Sequence, residues 1–417
     1  MKKLIIEGGK KLTGTINISG AKNSVVALIP ASILTKGKCV IHNVPDISDV
    51  GALMDIMKFL GSDIKYENET IYIDNKNVTN KYIPDEYANR LRASYYFMGS
   101  LLGVYGKVDI ASPGGCVIGS RPMDFHLKSF EKMGAVVTEK NNSFYIKSKG
   151  LKATEVFFDV PSVGATINVM IAAVRAEGTT RILNAAREPE IENIADFLIS
   201  MGAKITGAGT GTVIIEGVKT LGDGEITVIP DRIEAGTYVI MGALLGDKFQ
   251  VSGVVPEHIE SLLYKLKEMG AKYTVNGNTI KINRCNNLKA VNIKTTVYPG
   301  YPTDLGQPIS TLLTQCKGES IFEETIYENR LRHVPYLNGM GAKINALDKK
   351  AIVSGPTPLV GRKVKATDLR AGASMLVAGM IATGTTTVTN VEHLLRGYER
   401  IVDKLNNVGA KIKLVDE

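Results

Sequence analysis

Hydrophobic and polar positions alternate between two periods along this chain, and the alternation repeats. Residues 191–198 place apolar side chains at helical spacing, a glycine follows at Gly202, and short strand-like stretches come next. The same ending, written Met-Gly-Ala or a close variant, recurs at intervals of about 70 residues. It is centred on Gly61, Gly134, Gly202, Gly270, Gly341 and Gly409. Glycine adopts positive φ without a Cβ clash, so we predict that each of these ends a helix.

A second helix in each repeat begins at a cluster of small residues. Residues 162–166 and 370–374 are examples, and the fifth repeat has Thr303-Asp304-Leu305-Gly306 at this place. Each of these helices runs into a glycine-bearing turn and then a strand rich in Val, Ile and Thr. One repeat is therefore a βαβαββ-type unit. Six of them exceed a single core, so we predict an α/β protein of two domains with three repeats each.

The length of the chain agrees with two domains, and its charge and composition indicate which class of ligand it binds. The chain has 417 residues, enough for two domains of roughly 200 residues each. Lys and Arg exceed Asp and Glu by 50 to 42, yet no basic tail is present. Aromatic residues are only 6% and Trp is absent, so the stacking surface of a single-strand nucleic-acid binder is poorly supplied. A small anionic ligand fits better than a nucleic acid.

The cysteines and the hydropathy pattern indicate a cytoplasmic protein. Four cysteines lie far apart without a Cys-x-x-Cys pair, which argues against a zinc site or a disulfide framework. No apolar run approaches the roughly 18 residues of a membrane helix, and no cleavage-site pattern follows the first residues. We expect reduced thiols and no membrane partner.

An insertion interrupts the second repeat at residues 111–122. Three glycines and two prolines in this stretch predict a shaped surface loop that moves as a lid. Cys116 lies among the glycines with Arg121 five residues on, so its thiol pKa can be lowered for work as an acid or a nucleophile. The alternative is an inert surface thiol.

Basic residues recur where loops meet helices. A helix start is already partly positive, so an added cation is unfavourable there unless it binds an anion. The residues are Lys22, Arg92, Arg121, Arg187, Arg330, Arg370 and Arg396. Any one of them can be an ordinary surface charge, but the set indicates phosphate or carboxylate binding. Asp304 is either a helix N-cap or a carboxylate among these cations, able to act as a base for a hydroxyl.

Several of these segments together resemble the UDP-N-acetylglucosamine enolpyruvyl transferases over essentially the full length. The loop 113–122 and the segment Arg396-Gly397-Tyr398-Glu399-Arg400 are the most specific. The others are residues 19–23, 162–166, 184–191, 230–234, 328–330 and 367–371. The resemblance implies two inside-out α/β domains of three repeats, facing each other across a cleft. Residues 1–21 with 230–417 would form one domain, and residues 22–229, with the Cys116 loop, the other.

The resemblance also implies an activity. Members of this family are enzymes that move the enolpyruvyl group of phosphoenolpyruvate to the 3′-hydroxyl of UDP-N-acetylglucosamine and release phosphate. The reaction passes through a tetrahedral ketal and commits material to peptidoglycan synthesis. It needs no metal or organic cofactor, and its partners are the two small-molecule substrates. The loop cysteine of the family forms an adduct with phosphoenolpyruvate and is alkylated by fosfomycin.

Residue roles follow from the matching motifs. The phosphate would be held by Lys22, Arg121 and Arg396, the carboxylate by Arg330 and Arg370, and Asn23 would help to position the same substrate. Asp304 would take the hydroxyl proton, and Cys116 would donate a proton or form the adduct. The nucleotide sugar would be held by Arg92, Arg121, Pro122, Met123, Asp124, Phe125, Ser162, Val163, Gly164, Asp304 and Ile326. Val160 and Pro161 depart from some members, which puts one ionic contact to the diphosphate in doubt.

Two alternatives remain at this stage. The sister enzyme 5-enolpyruvylshikimate-3-phosphate synthase shares the fold and the phosphoenolpyruvate cage, but it lacks the cysteine loop. A non-catalytic anion-binding or RNA-processing protein built from the same repeat would release no phosphate. It would also leave the combination of Cys116, Asp304 and the cations without a purpose.

Overall fold

The computed structural model describes residues 2–114 and 123–416, which form two compact units. Unit one contains the described residues up to Ser19 and those from Pro230 onward. Unit two contains the described residues from Gly20 to Ile229. The chain therefore passes between the units at Ser19–Gly20, two residues before the predicted boundary, and again at Ile229–Pro230.

The described residues contain strands and helices in an order that follows the predicted repeat. The strands are β1 (Lys2–Glu7), β2 (Leu12–Asn17), β3 (Lys38–His42), β4 (Asp63–Glu67), β5 (Thr70–Asp74), β6 (Lys107–Ala111), β7 (Val136–Lys140), β8 (Ser143–Lys147), β9 (Glu155–Phe157), β10 (Thr179–Leu183), β11 (Lys204–Thr206), β12 (Thr212–Glu216), β13 (Gly224–Thr227), β14 (Gly246–Ser252), β15 (Tyr273–Asn276), β16 (Thr279–Ile282), β17 (Ile293–Lys294), β18 (Gly318–Glu323), β19 (Lys343–Leu347), β20 (Lys350–Gly355), β21 (Lys363–Lys365), β22 (Thr385–Thr389) and β23 (Lys411–Asp416). The α-helices are α1 (Lys22–Ala31), α2 (Ser48–Leu60), α3 (Asp85–Ala88), α4 (Tyr96–Tyr105), α5 (Asp124–Lys132), α6 (Val163–Ala173), α7 (Pro189–Ser200), α8 (Arg232–Leu245), α9 (Glu260–Glu268), α10 (Gly306–Leu313), α11 (Val334–Gly339), α12 (Leu369–Ile381), α13 (Glu392–Leu395) and α14 (Ile401–Asn406).

The described strands form three sheets in each unit, all on one plan. Unit two has the orders β13-β3-β5-β4, β11-β12-β10-β9 and β6-β8-β7, and Ile83 adds a parallel bridge to Ile110 beside β6. Unit one has β15-β16-β14-β2, β17-β18-β20-β19 and β21-β22-β1-β23. In each four-stranded sheet one edge strand runs parallel to its neighbour and the other two pairs are antiparallel. Six sheets of this kind confirm the prediction of six α/β repeats.

At each of the two points where the chain passes from one unit to the other, the last strand before the crossing pairs within the unit that the chain is leaving. Strand β2 directly precedes α1 of unit two but pairs in parallel with β14 of unit one. Strand β13 directly precedes α8 of unit one but pairs in parallel with β3 of unit two. Strand β1 lies between β22 and β23, so Leu4 faces Val388 on one side and Leu414 on the other. The sheets of unit one are therefore completed by the first residues of the chain.

Three apolar helices form the centre of each unit. In unit two they are α1, α4 and α6, and in unit one α8, α10 and α12. Burial is nearly complete, and all 14 residues of α8 are buried. The other helix of each repeat, which ends at the Met-Gly-Ala signature, is amphipathic and buries one face only, as α7 does. We call these the outer helices. The glycines that follow these outer helices have φ between 87° and 108°, which confirms the predicted helix-ending role.

Close helix packing in unit two depends on one missing side chain. Gly99 in α4 lies against Asn168 in α6, and its backbone N–H donates to Asn168 Oδ1 at 2.8 Å. A Cβ at this position would lie 2.4 Å from Asn168 Oδ1 and 2.5 Å from the Asn168 carbonyl oxygen. The two helices can approach this closely only with glycine at position 99.

We predict that Gly99→Ala lowers the free energy of unfolding by about 1–3 kcal/mol, because the added carbon overpacks the α4–α6 contact. The matched control is Gly51→Ala in α2, where the position is exposed and no atom lies within 4 Å of the added carbon. There alanine should raise helix stability by about 0.5–1 kcal/mol. Urea unfolding of the two variants measures both effects. Equal stability of Gly99→Ala and the parent would contradict the packing account.

Candidate active site

Most of the described residues that the sequence singled out lie at the starts of the inner helices. Free backbone N–H groups and the positive end of the helix dipole favour anions at such positions. Lys22 and Asn23 open α1, Arg92 opens the 3₁₀ helix before α4, Ser162 to Gly164 open α6, Asp304 lies in the 3₁₀ helix before α10, and Arg370 opens α12. The fold thus places a basic or polar side chain where an otherwise apolar helix begins.

Asp304 joins two arginines in unit one. Arg330 Nη2 donates to Asp304 Oδ1 at 2.5 Å, and Arg370 Nη2 donates to Asp304 Oδ2 at 2.9 Å. The N-cap alternative for Asp304 is therefore wrong, since its carboxylate turns to the guanidinium groups and neither adjoining helix start has a side-chain cap. The prediction that Asp304 lies among cations holds within this unit.

Burial and charge together fix the ionisation of this group. Side-chain exposure is 4–5% for the two arginines and 24% for Asp304. Burial alone would raise the pKa of Asp304, but Arg370 and Arg330 outweigh it and hold that pKa well below its ordinary value. Burial likewise would lower the pKa of Arg370, and the Asp304 charge raises it above its usual range. At neutral pH the group is one carboxylate between two cations.

Asp368 and Gln307 also contact the segments that carry the two arginines. Asp368 caps α12 by accepting from the backbone N–H groups of Arg370 and Ala371, at 3.0 and 3.1 Å. Its carboxylate lies 3.9 Å from Arg330 Nη1. Gln307 accepts from Arg330 Nη1 and donates to Asp368, both at 3.3 Å. Sequence reasoning missed Gln307, although a polar residue inside the apolar run of α10 was an available signal.

The two guanidinium groups have more donors than the surrounding acceptors use. Arg330 Nε and Arg370 Nε and Nη1 are buried and have no hydrogen-bond partner within the part of the chain that the structure describes. Aromatic rings support both cations, Tyr327 at 5.1 Å from Arg330 Cζ and Tyr398 at 5.6 Å from Arg370 Cζ. A buried cation with unused donors is suited to bind an added anion.

Packing contacts account for most of the residues in the segment 396–400. A Cβ on Gly397 would lie 2.8 Å from a methyl group of Leu369, so a larger residue would require that side chain to shift. Tyr398 is buried beneath Arg370, and Glu399 accepts a hydrogen bond from the Ser19 hydroxyl. Arg396 remains half-buried, and burial together with its charge lowers the pKa of nearby His393. Packing of residues 397–399 therefore holds Arg396 at a fixed place on unit one.

Lys22 of unit two is held by a buried acid. Its Nζ lies 2.8 Å from Asp49 Oδ2, and side-chain exposure is 14% for Lys22 and 7% for Asp49. Asn23 follows in the same helix turn and is half-buried. Asp49, near the start of α2, was not predicted. The ion pair holds the Lys22 ammonium group in one orientation, whereas the side chain of a solvated lysine would rotate freely.

Of the residues expected to hold the nucleotide sugar, those described in unit two lie before α4 and at the starts of α5 and α6. Arg92 Nη2 donates to Met123 Sδ at 3.6 Å, immediately before Asp124 and Phe125 open α5. Ser162 caps α6 by accepting from the Ala165 N–H at 3.4 Å. Glycine is required at position 164, since a Cβ there would lie 2.5 Å from the Tyr95 hydroxyl.

Contacts of His126 connect these two helix starts. Its ring lies 4.8 Å from that of Tyr95 and bonds Asn168 in α6 at 3.0 Å. The starts of α5 and α6 are therefore neighbours. Val163 is half-buried beside Gly164, whereas Val160 is 56% exposed.

Three predicted site residues, Cys116, Arg121 and Pro122, lie outside the described residues, as does most of the predicted lid. The described beginning of that loop packs closely on residues 88–89. The Gly114 N–H donates to the Ala88 carbonyl oxygen at 3.2 Å, and a Cβ on Gly114 would lie 2.1 Å from the Asn89 carbonyl oxygen. Among the other cysteines, burial raises the pKa of Cys39 and of Cys316 to about 12, which makes both thiols unreactive.

Comparison with known proteins identifies the class to which this fold and these residues belong. The family described as EPSP synthase (3-phosphoshikimate 1-carboxyvinyltransferase) matches residues 6–405. The chain belongs to the enolpyruvyl transferase family, which confirms the resemblance found in the sequence. The enolpyruvyl transferase NikO from Streptomyces tendae has a similar structure, with a TM-score of 0.91, 25% identity and coverage of 99% of both chains. EPSP synthase from Acinetobacter baumannii, at a TM-score of 0.76, 18% identity and full coverage, shares the fold.

The names of curated relatives indicate one particular enzyme within this family. UDP-N-acetylglucosamine 1-carboxyvinyltransferase 1 of Streptococcus agalactiae is 52% identical over 419 residues and covers 100% of both chains. UDP-N-acetylglucosamine 1-carboxyvinyltransferase 2 of Listeria monocytogenes is 48% identical over 410 residues, covering 98% of this chain and 97% of the relative. Within the described residues, no helix has the length and apolar character needed to span a bilayer.

We predict that Asp304→Asn lowers the free energy of unfolding by about 2–4 kcal/mol at pH 7, because two buried guanidinium groups lose their shared carboxylate. The matched control is Asp247→Asn, which removes an exposed 3.1 Å pair with Lys11 and should cost less than about 0.5 kcal/mol. Urea unfolding measures both losses.

The same measurement has a defined pH dependence. The pKa of Asp304 is lower in the folded protein than its ordinary value of 3.8, so its contribution is complete above that value. The difference between parent and Asp304→Asn should therefore shrink as the pH falls below about 4. A difference that grows on acidification, or a loss no greater than that of Asp247→Asn, would refute the pairing.

Proposed function

We propose that this protein transfers the enolpyruvyl group of phosphoenolpyruvate to the 3′-hydroxyl of UDP-N-acetylglucosamine with release of phosphate. Full-length relatives at 52% and 48% identity carry the corresponding name. The structural observation that carries the proposal is the pairing of Asp304 with two buried arginines. It combines a carboxylate-binding pair and a proton acceptor in one place.

The substrate carboxylate binds Arg330 and Arg370. Both guanidinium groups are held in place by neighbouring side chains and keep unused N–H donors. A carboxylate matches the planar fork of an arginine, and two such forks fix its orientation. Burial strengthens the attraction, because little water competes for the charges.

Asp304 changes role when that carboxylate arrives. In the free protein the two arginines hold its pKa well below its ordinary value, so the carboxylate is a weak base. A substrate carboxylate that takes N–H donors of Arg330 and Arg370 weakens their hold on Asp304 and raises its proton affinity. Asp304 can then accept the proton of the sugar hydroxyl as that oxygen attacks. Binding of one substrate in this way prepares the base for the other.

The rest of the chemistry follows the resemblance. Lys22, Arg121 and Arg396 bind the phosphate, and Asn23 helps to position it. Cys116 donates a proton to C3 of phosphoenolpyruvate while the hydroxyl oxygen bonds to C2, which gives the tetrahedral ketal. Loss of a C3 proton and of the phosphate then forms the enol ether product. The nucleotide sugar is held by Arg92, Arg121, Pro122, Met123, Asp124, Phe125, Ser162, Val163, Gly164, Asp304 and Ile326.

We also propose that the product commits sugar to peptidoglycan and that the reaction takes place in the cytoplasm. The competing activity is that named by the matching family description, transfer to shikimate 3-phosphate. It is disfavoured because the relatives at about half identity carry the nucleotide-sugar name and the sequence contains the Cys116 loop.

We predict that the protein releases inorganic phosphate from phosphoenolpyruvate when UDP-N-acetylglucosamine is present. Phosphate measured over time should match the consumption of the sugar nucleotide one to one. The parallel reaction with shikimate 3-phosphate should remain at background. If phosphate were released from phosphoenolpyruvate with shikimate 3-phosphate and not with UDP-N-acetylglucosamine, the proposed acceptor would be wrong. If no phosphate were released with either acceptor, the proposed function would be rejected.

We predict that Arg396→Ala lowers kcat by about 10²–10³-fold if its contact to the phosphate forms mainly in the transition state. Arg400→Ala is the matched control, because Arg400 belongs to the same segment and its side chain is 68% exposed. The control should stay within about twofold of the parent. Equal losses in the two variants would assign the effect to the fold of the segment. A change confined to KM would indicate uniform substrate binding.

A further inference from the structure

A buried carboxylate in unit one has no part in the chemistry described so far. Glu324 follows β18 and is only 1% exposed. Its Oε1 accepts from Thr295 Oγ1 at 3.0 Å and from the backbone N–H groups of Ile326 and Tyr327 at 2.7 and 3.2 Å. Its Oε2 accepts from Thr303 Oγ1 at 2.8 Å. One side chain thus organises three separate segments.

Three of these four hydrogen bonds lead to a residue of the proposed site. Thr303 precedes Asp304 in the same 3₁₀ helix, Thr303–Leu305. Tyr327 places its ring 5.1 Å from Arg330 Cζ. Ile326 is expected to contact the nucleotide sugar, and its N–H is already used by Glu324. Any such contact must therefore come from its carbonyl oxygen or its side chain.

The fourth hydrogen bond fixes the turn itself. Thr325 N–H donates to Thr295 Oγ1 at 2.9 Å, and Thr325 Oγ1 donates to the Thr295 carbonyl oxygen at 2.6 Å. Thr295 in turn donates its hydroxyl to Glu324. These hydrogen bonds have ordinary lengths of 2.6–3.0 Å. Leaving a buried carboxylate or backbone N–H unpaired is costly. The turn 324–327 is therefore held in one conformation.

The neighbouring residue Glu323 does not share the hydrogen bonds that Glu324 makes. Glu323 is the last residue of β18 and directly precedes Glu324, and its side chain turns to other partners. It pairs with Lys294 at 3.8 Å and Lys350 at 3.7 Å, both with largely exposed side chains. Glu323 contacts none of the segments that carry Asp304, Ile326 or Tyr327 in the bonds described, so it is a natural control.

We propose that Glu324 is a positioning residue, which sets the place of Asp304 through Thr303 and the place of Arg330 through Tyr327. The inference rests on the proposed function, since positioning is defined by the reaction that Asp304 serves. A role in stability alone would require only that the turn be closed. Positioning requires in addition that the Thr303 hydroxyl stay bonded to Glu324 for full turnover.

Thr303→Val tests this requirement with little change of shape, since it replaces one hydroxyl by a methyl group. It should lower kcat by about tenfold to a hundredfold, because small displacements of a reacting group are expensive in rate. KM for phosphoenolpyruvate should stay within about threefold, because the arginines are untouched. Thr303→Ser keeps the hydroxyl and should restore kcat to within about threefold of the parent.

Glu324→Gln and Glu323→Gln form the second pair. Glu324→Gln should lower kcat as Thr303→Val does, and Glu323→Gln should leave it unchanged. Thermal unfolding of all variants shows which are folded at the assay temperature. If Glu324→Gln does not fold, the comparison of Thr303→Val with Thr303→Ser decides the matter.

Each outcome has one meaning. Loss of kcat in Thr303→Val with recovery in Thr303→Ser supports positioning. Parental kcat in folded Thr303→Val overturns it, even if the melting temperature falls. A parent protein that releases no phosphate with either acceptor rejects the proposed function and this inference with it. An active parent with unaffected variants rejects the inference alone.

Discussion

Burial of three apolar helices at the centre of each unit is the constraint on which the other features depend. Such helices leave no room for charge along their length, so polar side chains collect at their starts. There the helix dipole and the free N–H groups attract anions. Lys22, Ser162 and Arg370 occupy these positions because of how the helices are buried. The packing thus places most of the candidate site residues at the starts of the inner helices. The outer helices contribute fewer, among them Asp49 near the start of α2 and Asp124 at the start of α5.

Charge balance governs the arginine site in the same way. Arg330 and Arg370 are too buried to remain unpaired, and Asp304 and Asp368 supply the compensating charges. A protein built only for stability would do as well with apolar side chains of similar volume. Two buried cations that keep unused donors beside a shared carboxylate are suited to bind an added anion, which is the role proposed for them above.

The repeat could be predicted because its signals are local. A glycine in the left-handed region and a change of apolar period are visible in any single repeat, and the six sheets follow from them. The position of β1 between β22 and β23 was out of reach, since strand pairing across nearly 400 residues leaves no local mark. Glu324 and Asp49 were missed for another reason. Each looks like an ordinary acid near the end of an element, and only tertiary packing shows that it is buried and paired.

The pairing of β1, β2 and β13 bears on how the chain reaches this structure during synthesis. All strands of unit two have been made once β13 has left the ribosome, so that unit can close early. Unit one contains the first strand of the chain and the last, and β1 finds its partners only when β22 and β23 exist. Strand β1 is therefore made long before it can be ordered in its sheet. Strand β2 can pair once β14 has been made, whereas β1 keeps both edges open until β22 and β23 exist. Capture of β1 by a chaperone or by another chain has its greatest effect during that interval.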